Sequence, residues 1–298
     1  MIQEKTRSKY ASRTITTIDK RDHISHKELI REYIEPGIPV IVKDIASNWE
    51  GMGKLTPEFF KTHYGHIVKK INGVEYAMST FVDLMMKATP EHPAPYPYNF
   101  NIEDYFPELM KYIHPQIAYG KYDRINHPLL PRFMMKGTEI YEIFLGGNGS
   151  FFPHLHFDAL FCHTQITQLY GSKEFIMFSP DQTIYMYPRE DNHKISQVDY
   201  FNPDYERFPL FREVRPVTIT VEEGETLFFP SGWWHTTRIH EPCISFGRAQ
   251  LNGSNWNLYI KDEYRAWKKY PFVAIPVYLY GKLLGQIMNL QEKFIPVH

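Results

Sequence analysis

Alternation of apolar and polar positions dominates the middle of the chain. His163 to Tyr170 and Lys173 to Phe178 each read as a strand with one buried face, and Gly171-Ser172 turns between them. Val217 to Val221 and Glu225 to Phe229 flank a Glu222-Glu223-Gly224 turn, and Cys243 to Ala249 supplies a last strand. Upstream, Ile38 to Val42 and Ile140 to Leu145 read as strands and Ile67 to Tyr76 as a hairpin, while residues 1 to about 20 are polar and suit an edge strand or an arm. Helical signals are fewer. Ser25 with Glu28 forms a capping box that opens a helix over about 26–34, closed by Pro36-Gly37. Thr56-Pro57-Glu58 starts a second helix ending near Gly65, and Ser79 to Lys87 reads as a third. Strands at this spacing predict a mainly β protein with flanking α elements, built on a double-sheet jelly roll. The expected organisation is an N-terminal α/β elaboration over 1–115, a jelly-roll core over 116–255 and a C-terminal helical segment over 256–298.

Composition narrows the class. A chain of 298 residues can bury a large core, and 16% aromatic content suits a β-rich interior. The net charge of -1, with both signs intermixed, gives no electrostatic footprint for nucleic acid or an anionic membrane. Two cysteines, Cys162 and Cys243, each inside an expected strand, read as buried free thiols of a reducing compartment. With no apolar stretch near Met1, the expected location is cytoplasmic. Phe272 to Tyr280, the most apolar stretch, is too short to span a bilayer and carries Pro276.

Three irregular stretches stand out. Four prolines between Pro90 and Pro97 enforce an extended segment followed by Tyr98, Phe100, Tyr105 and Phe106, either a substrate wall or packing on a core face. Gly146 to Ser150 is a turn, without the helix and Lys-Ser/Thr that a phosphate loop needs. Pro180 to about Pro216 is a long excursion, of a length that is usually functional or disordered.

The chemistry centres on Phe152-Pro153-His154-Leu155-His156-Phe157-Asp158. On a strand, His156 and Asp158 project together about 6 to 7 Å apart and Phe157 turns to the opposite layer. His235, in Gly232-Trp233-Trp234-His235, is the candidate for a third ligand. Two imidazoles and one carboxylate on one side of a metal leave the other side open, an arrangement suited to non-haem Fe(II) and oxygen. The bland alternative is a hydrogen-bonded structural histidine. His154 shares the face of His156 as a pocket lining or an outer partner, and His163 reads as packing or surface. Trp233 and Trp234 would brace the strand carrying His235.

With His156, Asp158, Lys173 and Gly224 to His235, the chain resembles the JmjC-type, cupin-like 2-oxoglutarate oxygenases, most clearly from about Thr138 to Asn252. The resemblance implies a double-stranded β-helix with Fe(II) at its mouth, held by His156, Asp158 and His235. It implies Lys173 as the partner of the far carboxylate of 2-oxoglutarate, with O2 as the second cosubstrate. Relatives often carry Thr or Ser three residues before the first ligand histidine, where this chain has Pro153. Thr164 and Tyr98 are the candidates to replace that contact, and Ser245, Gly247 and Arg248 make the last strand unusual. The implied activity is hydroxylation of a side chain in a protein or peptide substrate. The alternatives are N-methyl-lysine demethylation, hydroxylation of tRNA or a small molecule, a metal-binding cupin without oxygenase activity, and a non-catalytic interaction protein. In the tail, Leu283, Leu284, Ile287, Met288 and Leu290 share a helical face that either packs on its own barrel or forms a homodimer seam.

Overall fold

A computed structural model describes residues 15–114, 123–135 and 140–294. Residues 1–14 of the expected arm lie outside the described residues. The strands in chain order are β1 (Asp19–Arg21), β2 (Val40–Val42), β3 (Val68–Ile71), β4 (Val74–Ala77), β5 (Tyr98–Asn101) and β6 (Tyr141–Gly146). They continue with β7 (His163–Tyr170), β8 (Lys173–Phe178), β9 (Val217–Val221), β10 (Thr226–Phe229), β11 (Trp234–Arg238) and β12 (Cys243–Gln250). Seven form one sheet in the order β1-β2-β10-β7-β12-β6-β5, and three form the facing sheet in the order β11-β8-β9. The expected jelly roll is this pair of sheets. The N-terminal segment is woven into it, since β1, β2 and β5 all belong to the larger sheet.

The local signals act as their chemistry requires. Ser25 caps α1 (His26–Glu28) through the complete capping box, and the chain continues helically as a wider π turn over Leu29–Ile34. Thr56 accepts the Phe59 amide at the start of α2 (Pro57–Tyr64), and α3 spans Met78–Lys87. Strands β3 and β4 pair as the expected hairpin. Gly171 sits at φ 59° between β7 and β8, where a Cβ would lie 2.2 Å from the Pro242 carbonyl oxygen. No other residue fits that turn.

After β12 the chain forms α4 (Trp256–Ala266) and α5 (Pro271–Phe294). Helix α5 begins with Pro271 at its first position and carries Pro276 inside it, where proline supplies no N–H to the helix ladder. One face, including Val277, Leu284 and Met288, packs with Trp256, Tyr259 and Ile260 of α4. The other leaves Phe272, Ile275, Leu279, Leu283, Leu290 and Phe294 exposed. Among the described residues, no helix is long and apolar enough to cross a membrane.

Burial in α4 carries one measurable consequence. Glu263 is 4% exposed. One carboxylate oxygen lacks a hydrogen-bond partner among the described residues. Desolvation, opposed by a hydrogen bond with Trp267 and by Lys194 and aided by neighbouring Asp262, pushes its carboxyl up from 4.5 to about 7. The folded chain thus holds a proton that the unfolded chain releases, so this site costs stability progressively as pH rises from 4.5 to about 7, and fully above that. Glu263→Gln is expected to be more stable than wild type at pH 8, by up to about 3 kcal/mol, with the two converging near pH 4. Urea unfolding of both proteins across that range checks it.

Candidate metal centre

The metal-ligand segment is held by backbone pairing on both sides. His156 and His235 are direct antiparallel partners: the His156 amide donates to the His235 carbonyl at 3.1 Å and the His235 amide to the His156 carbonyl at 2.7 Å. On the other flank His156 bridges Ile195, the Phe157 amide donates to the Lys194 carbonyl, and the Ser196 amide to the Leu155 carbonyl. The expected strand through His156 is therefore a single bridged residue in an extended segment. Its partners come from β11 and from the long excursion after Pro180, which clamps it. Alternation still holds, because Phe157 is buried beside Trp234, Phe178 and Met186 in the layer opposite the ligands.

Each imidazole is oriented by its own chain. His156 Nδ1 lies 3.1 Å from the His154 carbonyl and His235 Nδ1 3.1 Å from the Trp233 carbonyl. Since a carbonyl only accepts, both rings carry the proton on Nδ1 and present Nε2 as a lone pair. Those Nε2 atoms stand 4.0 and 3.8 Å from Asp158 Oδ1, and the three ligating atoms lie within 4.8 Å of one another. Desolvation and the neighbouring His235 lower His156 to about 4, which keeps it neutral and able to ligate at pH 7. Phe152 stacks on His156 at 4.5 Å and Phe229 meets His235 edge-on at 4.9 Å, fixing both rings. Two neutral nitrogens and one carboxylate oxygen fit a divalent first-row metal with positions left open.

Behind the triad a cavity of about 270 Å³ runs between the two sheets. Lys173, the first residue of β8, is 3% exposed. Its ammonium reaches Tyr96 Oη at 3.2 Å and faces the Tyr96 and Phe144 rings at 5.6 and 5.4 Å. Among the described residues no carboxylate pairs with it. A buried cation without a counter-ion is costly and calls for an anionic ligand. Burial raises the Tyr96 phenol, so it remains a donor. Among the described residues, the buried Thr237 hydroxyl beside it completes no hydrogen bond of ordinary geometry. This end of the cavity fits a carboxylate.

Thr164 lines the same cavity, but its hydroxyl donates to Asp158 Oδ2. It thereby turns the carboxylate so that Oδ1 faces the histidines. Thr164→Val is expected to weaken metal binding about tenfold while leaving β7 intact, as titration calorimetry with Mn(II) will show. Tyr98 lies outside the cavity. It is fully buried, stacks on Phe81 at 3.7 Å and donates to the Tyr76 carbonyl. Alternation along β5 sends Tyr98 and Phe100 into the N-terminal core and turns Asn99 to the cavity. Tyr96 is the pocket tyrosine, because parity counted along β5 does not extend past Pro97.

His154 is exposed near Arg189. His163 is buried and bonded to the Ser231 amide, Asn252 and Ser254. Trp233 donates to the Gly37 carbonyl and Trp234 to Thr183, each at 2.9 Å, so both brace β11. Gly232, at φ 83°, makes the turn that delivers them. Gly247 and Arg248 line the cavity, with Arg248 paired to Asp123 at 3.0 Å. Cys162 and Cys243 are free buried thiols.

Two histidines and one aspartate whose ligand atoms lie within 4.8 Å of one another, at the mouth of a two-sheet barrel with a buried lysine below, form a candidate metal centre. The chain belongs to the JmjC-like cupin-domain family, whose profile, described as a cupin-like domain, matches residues 67–248. It is 21% identical over 282 residues to arginine-specific demethylase JMJ20 of Arabidopsis thaliana, covering 80% of this chain and 58% of that protein. It is 24% identical over 264 residues to lysine-specific demethylase JMJ21 of the same plant, covering 82% and 26%. With human HSPB1-associated protein 1 the identity is 32% over 104 residues, 34% of this chain and 21% of that protein. The chain thus spans about a fifth of HSPB1-associated protein 1 and little more than half of JMJ20.

Proposed function

We propose that the protein is an Fe(II)- and 2-oxoglutarate-dependent oxygenase that hydroxylates a side chain of a protein or peptide. One observation carries the reading: a two-histidine, one-carboxylate triad and a buried ammonium that has no carboxylate partner among the described residues open into one cavity. His156, Asp158 and His235 would hold the iron, which when bound supplies oxygen activation coupled to oxidative decarboxylation of the 2-oxo acid. Lys173 would bind the far carboxylate, with Tyr96 donating beside it. Phe144, Ile166, Phe175 and Phe229 line the cavity with apolar surface and exclude water from the reacting groups.

Anaerobic reconstitution with Fe(II) and 2-oxoglutarate should give the weak visible charge-transfer band of a chelated 2-oxo acid. In air, succinate release over a peptide panel should identify the substrate. A folded, iron-loaded protein without that band would leave a different cupin activity. The names of JMJ20 and JMJ21 support demethylation as the second reading. A substrate gaining one oxygen atom supports hydroxylation, and formaldehyde release supports demethylation. The exposed apolar face of α5, which carries Phe272, Ile275, Leu279, Leu283, Leu290 and Phe294, we assign to a homodimer seam. Light scattering of wild type and Leu279→Glu tests it.

A further inference from the structure

The segment joining Asp158 to β7 is held in a backbone conformation that its residues disfavour. Leu160 and Phe161 are consecutive left-handed residues, at φ 55° and 51°, and neither is glycine. Side chains of this size rarely adopt that region unless their surroundings impose it, and such strain collects at functional sites. The turn is tight, with the Cys162 amide donating back to the Ala159 carbonyl at 3.1 Å. It begins at a metal ligand and ends at the strand carrying Thr164, which donates to that same ligand. Its shape therefore sets where the Asp158 carboxylate stands.

What imposes the conformation comes from the far end of the chain. Asn255, fully buried just before α4, donates from Nδ2 to the Phe161 carbonyl at 2.9 Å and to the Gln250 carbonyl at 3.1 Å. Its Oδ1 accepts the Asn252 amide at 2.8 Å. One side chain thus ties the strained turn to the end of β12. Leu160 and Cys162 sink into the cluster that α4 and α5 build from Trp256, Tyr259, Ile260, Leu284 and Met288. Phe161 lies against Phe157 at 4.9 Å, ring to ring.

Resting on the metal-centre reading, we infer that Asn255 is a positioning residue for that centre: it holds the left-handed Leu160–Phe161 turn, and the turn holds Asp158. The C-terminal helical segment is then part of the site's framework. Asn255 touches no ligand atom, and its action runs through the backbone.

Co(II) is the probe, because its visible absorption reports coordination without turnover. Asn255→Ala is expected to raise the Co(II) Kd about 10- to 100-fold, with a folded ligand-free protein at the assay temperature. A Kd within twofold of wild type in that folded variant overturns the inference. Two variants at the half-buried Phe161 keep the test open if Asn255→Ala does not fold. Phe161→Gly adopts the left-handed turn freely and should bind Co(II) within about threefold of wild type, whereas β-branched Phe161→Val cannot and should bind at least about tenfold more weakly than the glycine variant. Equal affinity of the two overturns the inference. Wild-type protein that takes up no Co(II) instead overturns the metal-centre reading itself.

Discussion

His235→Ala is expected to reduce 2-oxoglutarate turnover by about 10³-fold or more while leaving the barrel folded. A bound metal contributes several kcal/mol of charge stabilisation, and each 1.4 kcal/mol is about tenfold in rate. Removing one of the three proposed ligands would forfeit most of that. The fold survives because the link between His235 and His156 is made by main-chain groups, which alanine retains. Trp233 and Trp234 keep their bonds to Gly37 and Thr183 on either side. The loss should appear in metal content and succinate release, with the unfolding midpoint of metal-free protein little changed. Full turnover in the variant would remove His235 from the centre.

Lys173→Met should divide stability from function in opposite directions. In the ligand-free protein the ammonium is buried without a carboxylate among the described residues, so an apolar side chain of similar length should hold or raise the unfolding midpoint. On the proposed reading, the same change removes the counter-charge for the far carboxylate of 2-oxoglutarate. Truncating one partner of a buried charge pair costs about 2 to 5 kcal/mol, which corresponds to a rise of roughly 30-fold or more in the 2-oxoglutarate Kd. Metal affinity should stay near wild type. Calorimetric titration with Mn(II), then with 2-oxoglutarate, separates the two. A variant that binds 2-oxoglutarate as tightly as wild type would assign Lys173 a purely structural role.

The two outcomes for Thr164 and Tyr98 show where sequence stops being informative. Strands β7 and β8 are legible to the residue because alternation and the Gly171 turn are local properties, and the grouping of His156, Asp158 and His235 is legible because ligand chemistry restricts residue types. Which hydroxyl meets which carboxylate depends on side-chain directions across the sheets. Thr164 was expected at the cosubstrate, but its hydroxyl is given to Asp158. Tyr98 and Tyr96 differ by two residues and would share a face on a continuous strand, yet only Tyr98 is in the ladder. The His-x-Asp segment kept its alternation although it is a single residue bridged on both sides in place of a strand, since the excursion after Pro180 supplies the pairing that a regular neighbour would have given. No local pattern in residues 180–216 announces that role. The left-handed pair at Leu160 and Phe161 is equally silent, for neither residue type signals it.

The reciprocal backbone pair between His156 and His235 makes the centre a gauge of strand register. A slip of one residue on either side would turn that imidazole to the opposite layer, and a slip of two would carry it about 7 Å along the strand. Misaligned chains would then lose the metal along with the pairing, so metal retention during refolding should report correct closure of the barrel across segments that are distant in sequence.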